Sequence, residues 1–243
     1  MSLGGVWRRW VHNPQSALWR KVLFQIHLWG GLLTGLYIVV ISLSGSAVVF
    51  RRELSRWLMP RDRDFSGGLP TAIRVMEWCV DLHDNLLAGS TGRFFNGIGA
   101  IAVTVLILTG AVLWWPGRSR WRRSLIVPRP SRTRRFTWHL HSALGFWSFV
   151  LMLGWAVTGI YFAFPQPFEA LFNALATDPT ALERPGEDLL LTFIRLHFGR
   201  FGGLGIRITW VILGLLPAVL LVTGLIVWWK RTRPRVGSGV IAG

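Results

Sequence analysis

Four apolar stretches, 22–50, 96–115, 141–164 and 208–229, limit what this chain can fold into more than any other feature. Each reaches or exceeds the ~20 residues that carry a helix across a ~30 Å hydrocarbon core. Inside lipid every backbone N–H and C=O needs an internal partner, which leaves helices or closed barrels. A barrel would need strands of alternating polarity, and the stretches do not alternate. Apolar residues make up 51% of the 243, and they are gathered into blocks of spanning length rather than into the one-sided stripes of soluble helices. The expected fold is an all-α integral membrane protein, a bundle of four transmembrane helices.

The charges predict its orientation. Arg8, Arg9, Arg20 and Lys21 precede the first stretch, eight arginines lie in 118–135, and Lys230, Arg231, Arg233 and Arg235 follow the last. These three segments hold sixteen basic residues and no acidic one, so the net charge of +16 lies on one side. Positive segments stay in the cytoplasm, which predicts cytoplasmic termini in a bacterial inner membrane. This topology signal explains the high pI better than nucleic acid does, and anionic lipid headgroups are the expected partner of the arginines. The first stretch is too long for a cleavable signal and reads as a signal anchor. Cys79, the single cysteine, excludes an internal disulfide and any cysteine-based metal motif.

A repeat reorganises the rest. At a lag of 114 residues, with no gap, His27 falls on His141, Gly31 on Gly145, and Ser44–Gly45 on Thr158–Gly159. Further on, His83 falls on His197, Gly89 on Gly203, Arg93 on Arg207, Thr109–Gly110 on Thr223–Gly224, and Trp114–Trp115 on Trp228–Trp229. The chain therefore divides into an N-terminal segment 1–21, repeat 1 over 22–115, a basic loop 116–137, repeat 2 over 138–229 and a tail 230–243. Each repeat holds two spans and one outer connection. The two repeats are thus parallel and predict a pseudo-twofold axis along the membrane normal.

Such an axis sets matched residues opposite each other at one depth. His27 should face His141 near the cytoplasmic side, and His83 should face His197 near the other. Two opposed imidazoles form an axial ligand pair for haem iron, and a helical bundle is a suitable cradle. Two haem b groups are expected, non-covalently held because no Cys-x-x-Cys-His signature is present. Zinc wants four N, S or O ligands and each level offers two. A proton relay would place carboxylates in the membrane, and the acidic residues all lie outside the four stretches. Gly31 and Gly145, one turn past the inner histidines, permit close approach of a porphyrin or a helix. The Ser/Thr–Gly pairs read mainly as helix-packing sites. His139 lies two residues from His141, on another face, with Gln25 at its matched position, so it reads as a supporting or interfacial group. His12 reads as solvated.

Arg93 and Arg207, ten residues past the outer histidines, are candidates for pairing haem propionates or an anionic acceptor, with snorkelling to headgroups as the plainer alternative. A straight helix from His83 to Trp115 would measure about 48 Å, longer than the hydrocarbon core. The outer histidines should therefore sit at or beyond the interface unless Gly89, Gly92, Gly97, Gly199, Gly202, Gly203 or Gly205 bends the helices.

These residues also carry a resemblance. His27-Leu-Trp-Gly-Gly-Leu with a later Leu-Ser-Gly, the stretch DLHDNLLAGSTGR over 81–93, and Trp138-His-Leu-His with Val-Thr-Gly all belong to it. So do RLHFGRFGGLGIR over 195–207 and Thr223-Gly-Leu-Ile-Val-Trp-Trp. Over nearly all of 22–233 the chain resembles the PepSY-associated transmembrane family, whose members look like di-haem inner-membrane reductases, some tied to ferric-siderophore iron release. Many relatives carry a sizeable periplasmic PepSY domain between spans. Here the outer connections are only about 45 residues each, so recognition by such a domain is not implied.

Two functions follow as expectations. In the first, the chain is a haem-dependent oxidoreductase. It takes electrons from a quinol or cytoplasmic donor and passes them to a periplasmic acceptor such as a ferric chelate. In the second, it is a non-catalytic haem- or pigment-binding subunit of a larger respiratory or photosynthetic membrane complex. The sequence names no catalytic residue.

Overall fold

The structure, a computed structural model, describes residues 11–12, 14, 18–59, 68–127, 133–175 and 185–232. Arg8, Arg9, Arg129, Arg132, Arg233 and Arg235 of the basic segments lie outside the described residues. Those described are mostly helical, with no strand among them. Repeat 1 supplies α1 (Leu18–Leu33), α2 (Gly35–Val48), α3 (Arg51–Leu58), α4 (Thr71–Asn85) and α5 (Gly89–Trp114). A short α6 (Trp121–Ser124) follows. Repeat 2 supplies α7 (Thr133–Ala163), α8 (Pro165–Leu175), α9 (Pro185–His197), α10 (Leu204–Gly214) and α11 (Leu216–Thr232).

Gly89–Trp114, Phe136–Ala163 and Leu204–Thr232 are each long and apolar enough to cross a membrane. Taken together, α1 and α2, a pair bent by 61°, are also long and apolar enough for a fourth crossing. The chain is an all-α multi-pass membrane protein. Its spans pack in a ring: α1–α2 against α5, α5 against α7, α7 against α11, and α10–α11 back against α2. Arg20, at the start of α1, donates to the carbonyls of Val112 and Leu113. It thereby occupies acceptors that the C-terminal turn of α5 cannot satisfy itself.

The first crossing was expected to be one helix, and it is broken at Thr34. The Thr34 hydroxyl donates to Gly30 O at 2.7 Å, a back-bond that bends helices. Gly30, Gly31 and Gly35 flank the break, and glycine is a common kink site. A Cβ at Gly35 would stand 3.2 Å from Leu221 Cδ1, so the missing side chain lets α11 approach. In repeat 2 the positions matching Gly30 and Gly35 are Leu144 and Phe149, and α7 runs unbroken for 31 residues. The last crossing is interrupted at Leu215, two residues before Pro217, which has no N–H to give the helix ladder.

The long helix from His83 to Trp115 does not form either. Leu86 and Leu87 adopt left-handed backbone, φ +52° and +63°, and Gly89 follows at +56°. They make a corner that folds α4 back along α2. Left-handed leucines cost on the order of 1 kcal/mol each. Asn96 of α5 offsets this by donating through Nδ2 to His83 O at 2.8 Å and Asp84 O at 2.9 Å. Tyr37 OH in turn donates to Asn96 Oδ1 at 2.8 Å. In repeat 2 the corner uses Gly199, φ +63°, and Trp210, at the position matching Asn96, donates Nε1 to Leu196 O at 2.9 Å.

Candidate functional site: two histidine pairs

The bundle brings the four histidines together as two pairs. The rings of His27 on α1 and His141 on α7 have centroids 6.4 Å apart at an interplanar angle of 77°. Those of His83 on α4 and His197 on α9 lie 6.3 Å apart at 56°. The corners at Leu86 and Gly199 swing α4 and α9 inward, which sets the second pair beside the far ends of α2 and α7. His141 and Thr158, the partner of His197, are 17 residues apart on α7. The two levels are thus separated by about 25 Å of helix.

Each ring is anchored through Nδ1, and the anchors repeat. His27 Nδ1 lies 3.0 Å from Leu106 O and 3.2 Å from Thr109 Oγ1. His141 Nδ1 lies 3.0 Å from Leu220 O and 3.0 Å from Thr223 Oγ1. His83 Nδ1 meets Ile41 O at 3.1 Å and Ser44 Oγ at 3.2 Å, and His197 Nδ1 meets Thr158 Oγ1 at 2.6 Å. The sequence separations are 82 for both inner histidines and 39 for both outer ones.

The hydroxyls decide the tautomer. Thr109, Thr223, Ser44 and Thr158 each donate to the carbonyl four residues back in their own helix, at 2.9, 3.0, 2.6 and 2.7 Å. Their oxygens are left to accept, and a carbonyl can only accept. On His27, His83 and His141, where a carbonyl also faces it, Nδ1 carries the proton and the Nε2 lone pair is free to bind a metal, the arrangement that commonly orients a ligating histidine; His197 Nδ1 faces the Thr158 hydroxyl alone. His83 and His197 sit on helices outside the spans. Burial lowers the pKa of both, and burial together with the facing His83 pushes His197 down to about 3. Both are neutral, the form that binds metal.

The glycine beside three of the hydroxyls makes room for the ring. A Cβ at Gly45 would stand 2.7 Å from His83 Cε1, at Gly110 2.9 Å from His27 Cε1, and at Gly224 3.3 Å from His141 Cε1. Gly159 departs from the pattern and would meet Ala100 Cβ at 3.5 Å. The Ser/Thr–Gly pairs, expected mainly to pack helices, thus seat the histidines. Their signal was in the sequence, since they align at the same lag as the rings they hold.

The residues present fit a haem. Two imidazoles with centroids 6.4 Å apart at one level and 6.3 Å at the other would hold its iron between them. Among the described residues no three or more His, Cys, Asp or Glu side chains cluster to hold a metal ion. Gly31 and Gly145 face Leu106 and Leu220, matched leucines, at 3.7 and 4.0 Å from a built Cβ.

The other sequence candidates fall elsewhere. Arg93 pairs with Asp84, and Arg207 pairs with Glu53, so each already holds a carboxylate of this chain. His139 is half-buried and belongs to neither ring pair. His12 is exposed. The tryptophan doublets end their spans with the same geometry: Trp114–Trp115 at 6.4 Å and 54°, Trp228–Trp229 at 6.5 Å and 53°.

A four-span bundle of two parallel repeats with histidines paired across its axis defines a class of multi-pass membrane protein. The PepSY-associated TM region family matches the chain over residues 24–73, 62–189 and 177–231, and the chain belongs to that family. A search of curated proteins finds no match.

Proposed function

We propose that this protein carries electrons across the bacterial inner membrane through two b-type haems, one between His27 and His141 and one between His83 and His197. The haems would supply one-electron exchange. The observation that carries this reading is the two imidazole pairs, 6.4 and 6.3 Å between centroids, with Nδ1 spent on hydrogen bonds and Nε2 left as a ligand. The chain's own work is to hold each ring at a fixed tilt and in one tautomer. Electrons enter at the His27/His141 level from a quinol or cytoplasmic donor and leave at the His83/His197 level to a periplasmic acceptor such as a ferric chelate. With the basic segments in the cytoplasm, a membrane potential assists that direction by ~2.3 kcal/mol per 100 mV for each charge.

Purified protein analysed as pyridine haemochrome should give two b-type haems per chain, and the reduced form should reoxidise quickly on mixing with a ferric chelate. No haem in a folded preparation would refute the proposal. Bound haem that stays inert toward ferric chelates would instead favour a subunit that serves a larger membrane complex. A periplasm-active reporter fused after Arg235 should stay silent, and activity there would reverse the orientation.

A further inference from the structure

Beyond the His83/His197 level, two arginines of the described residues approach one aromatic ring. Arg51, at the start of α3, places Cζ 5.8 Å from the centroid of the Phe198 ring, and Arg200 places its own 4.6 Å from the same ring. The two guanidinium groups are therefore no more than about 10 Å apart, within a Debye length at 0.1 M salt. Among the described residues neither has an ion-pair partner. Glu53, the nearby carboxylate on α3, is engaged by Arg207 and, at 3.4 Å, by Arg56. Glu77 and Asp81 line an open groove with Arg51 but form no ion pair with it. Burial and then the nearness of Arg52 and Arg51 hold the Arg200 pKa below the ordinary value, with Glu53 acting the other way.

The repeat sets this ring apart. Asp84 follows His83 directly and neutralises Arg93. The matched residue after His197 is Phe198, a neutral ring that gathers two cations. Its own ring lies 5.3 Å from that of His197. An arginine fork takes up carboxylates in bidentate fashion, and two forks within about 10 Å of each other suit a ligand with more than one carboxylate.

We infer that Arg51 and Arg200 form a carboxylate clamp next to His197, at the far end of the bundle. The carboxylates come either from a chelate arriving from outside or from the haem bound at that level. The second source rests on the proposed function, whereas the first does not.

Full-length protein in discs of zwitterionic lipid separates the two sources. Gallium citrate, a redox-inert polycarboxylate chelate, is titrated against wild type, R51Q/R200Q, R51K/R200K and R93Q. Haem b and its dimethyl ester, which lacks free carboxylates, are each reconstituted into H141A protein freed of haem, with and without R51Q/R200Q. A tenfold or greater loss of gallium citrate affinity in R51Q/R200Q, a smaller loss in R51K/R200K and none in R93Q assign the carboxylates to an external chelate. Gallium citrate needs no haem, so this arm stands even if the protein binds none. A preference for haem b over its ester that R51Q/R200Q abolishes assigns them to the haem. The clamp is overturned if R51Q/R200Q changes neither preference, or if R93Q weakens gallium citrate as much as the double variant, since general charge would then explain the loss. If R51Q/R200Q does not fold, R51K/R200K decides. It keeps the charge and loses the planar fork, and wild-type behaviour in both arms would overturn the clamp.

Discussion

The two repeats hold their histidines alike and build their walls differently. The Nδ1 anchors recur at the same separations, yet α1–α2 is bent by 61° where α7 is continuous. In the second span the order is reversed: α5 is unbroken, while α10 and α11 are divided at Leu215. The straight helices α5 and α7 pack on each other through small residues. A Cβ at Gly97 would overlap the Phe164 ring, and one at Gly159 would meet Ala100 at 3.5 Å. The broken helices adjoin on the other side of the bundle, where hydroxyls join them. Ser42 donates to Gly214 O at 2.6 Å and Ser46 to Val211 O at 3.1 Å. Their matched residues are Ala156 and Ile160, which cannot make such bonds. Ring placement therefore depends on the local set of histidine, hydroxyl and glycine, and a span can bend without disturbing it.

The largest effects should come from the rings themselves. His141→Ala should cost one of two haems, His197→Ala the other, and His139→Ala neither, read by haem stoichiometry and low-spin ferric resonance signals. If His139→Ala empties a site that His141→Ala leaves filled, the repeat register does not identify ligands. Loss of both haems from one substitution would instead join the two levels into a single folding unit.

Next come the hydroxyls, where the repeats should separate. Thr158 is the sole Nδ1 partner of His197 among the described residues, whereas Ser44 shares His83 with Ile41 O. Thr158→Val strands a buried donor at about 1–3 kcal/mol, and haem affinity at that level should fall roughly 10- to 100-fold. Ser44→Ala should cost several-fold less, and equal losses measured by haem titration would erase this distinction.

Smaller still, the glycines should rank by clearance. Gly45→Ala should shift the spectrum of the outer haem, Gly110→Ala that of the inner one, Gly224→Ala should act more weakly, and Gly159→Ala should leave both unchanged. A strong effect from Gly159→Ala would mean that its neighbour Ala100, not a ring, sets the spacing there.

Much of this was legible at the level of amino acids. Four spans follow from four apolar blocks, and the ring pairs follow from one gapless lag. The break at Thr34 was not legible, because glycines such as Gly30 and Gly35 are as common in straight membrane helices as in bent ones. The inward turn of α4 was hidden because it is made by Leu86 and Leu87, residues with no turn preference. Arg93 and Arg207 stood out by matching each other, yet their carboxylate partners Asp84 and Glu53 match Phe198 and Pro167, which carry no charge. Arg51 and Arg200 escaped notice because they match Pro165 and Leu86, so a search by symmetry passes over them.

The hydroxyls that seat the rings have one hydrogen each, and each hydroxyl lies within hydrogen-bonding distance of a carbonyl of its own helix. A hydroxyl that gives its hydrogen to that carbonyl can receive the ring's hydrogen but has none to hand on. Each anchor therefore ends on a backbone carbonyl of its own helix, a stop for proton hopping and not a link in a chain.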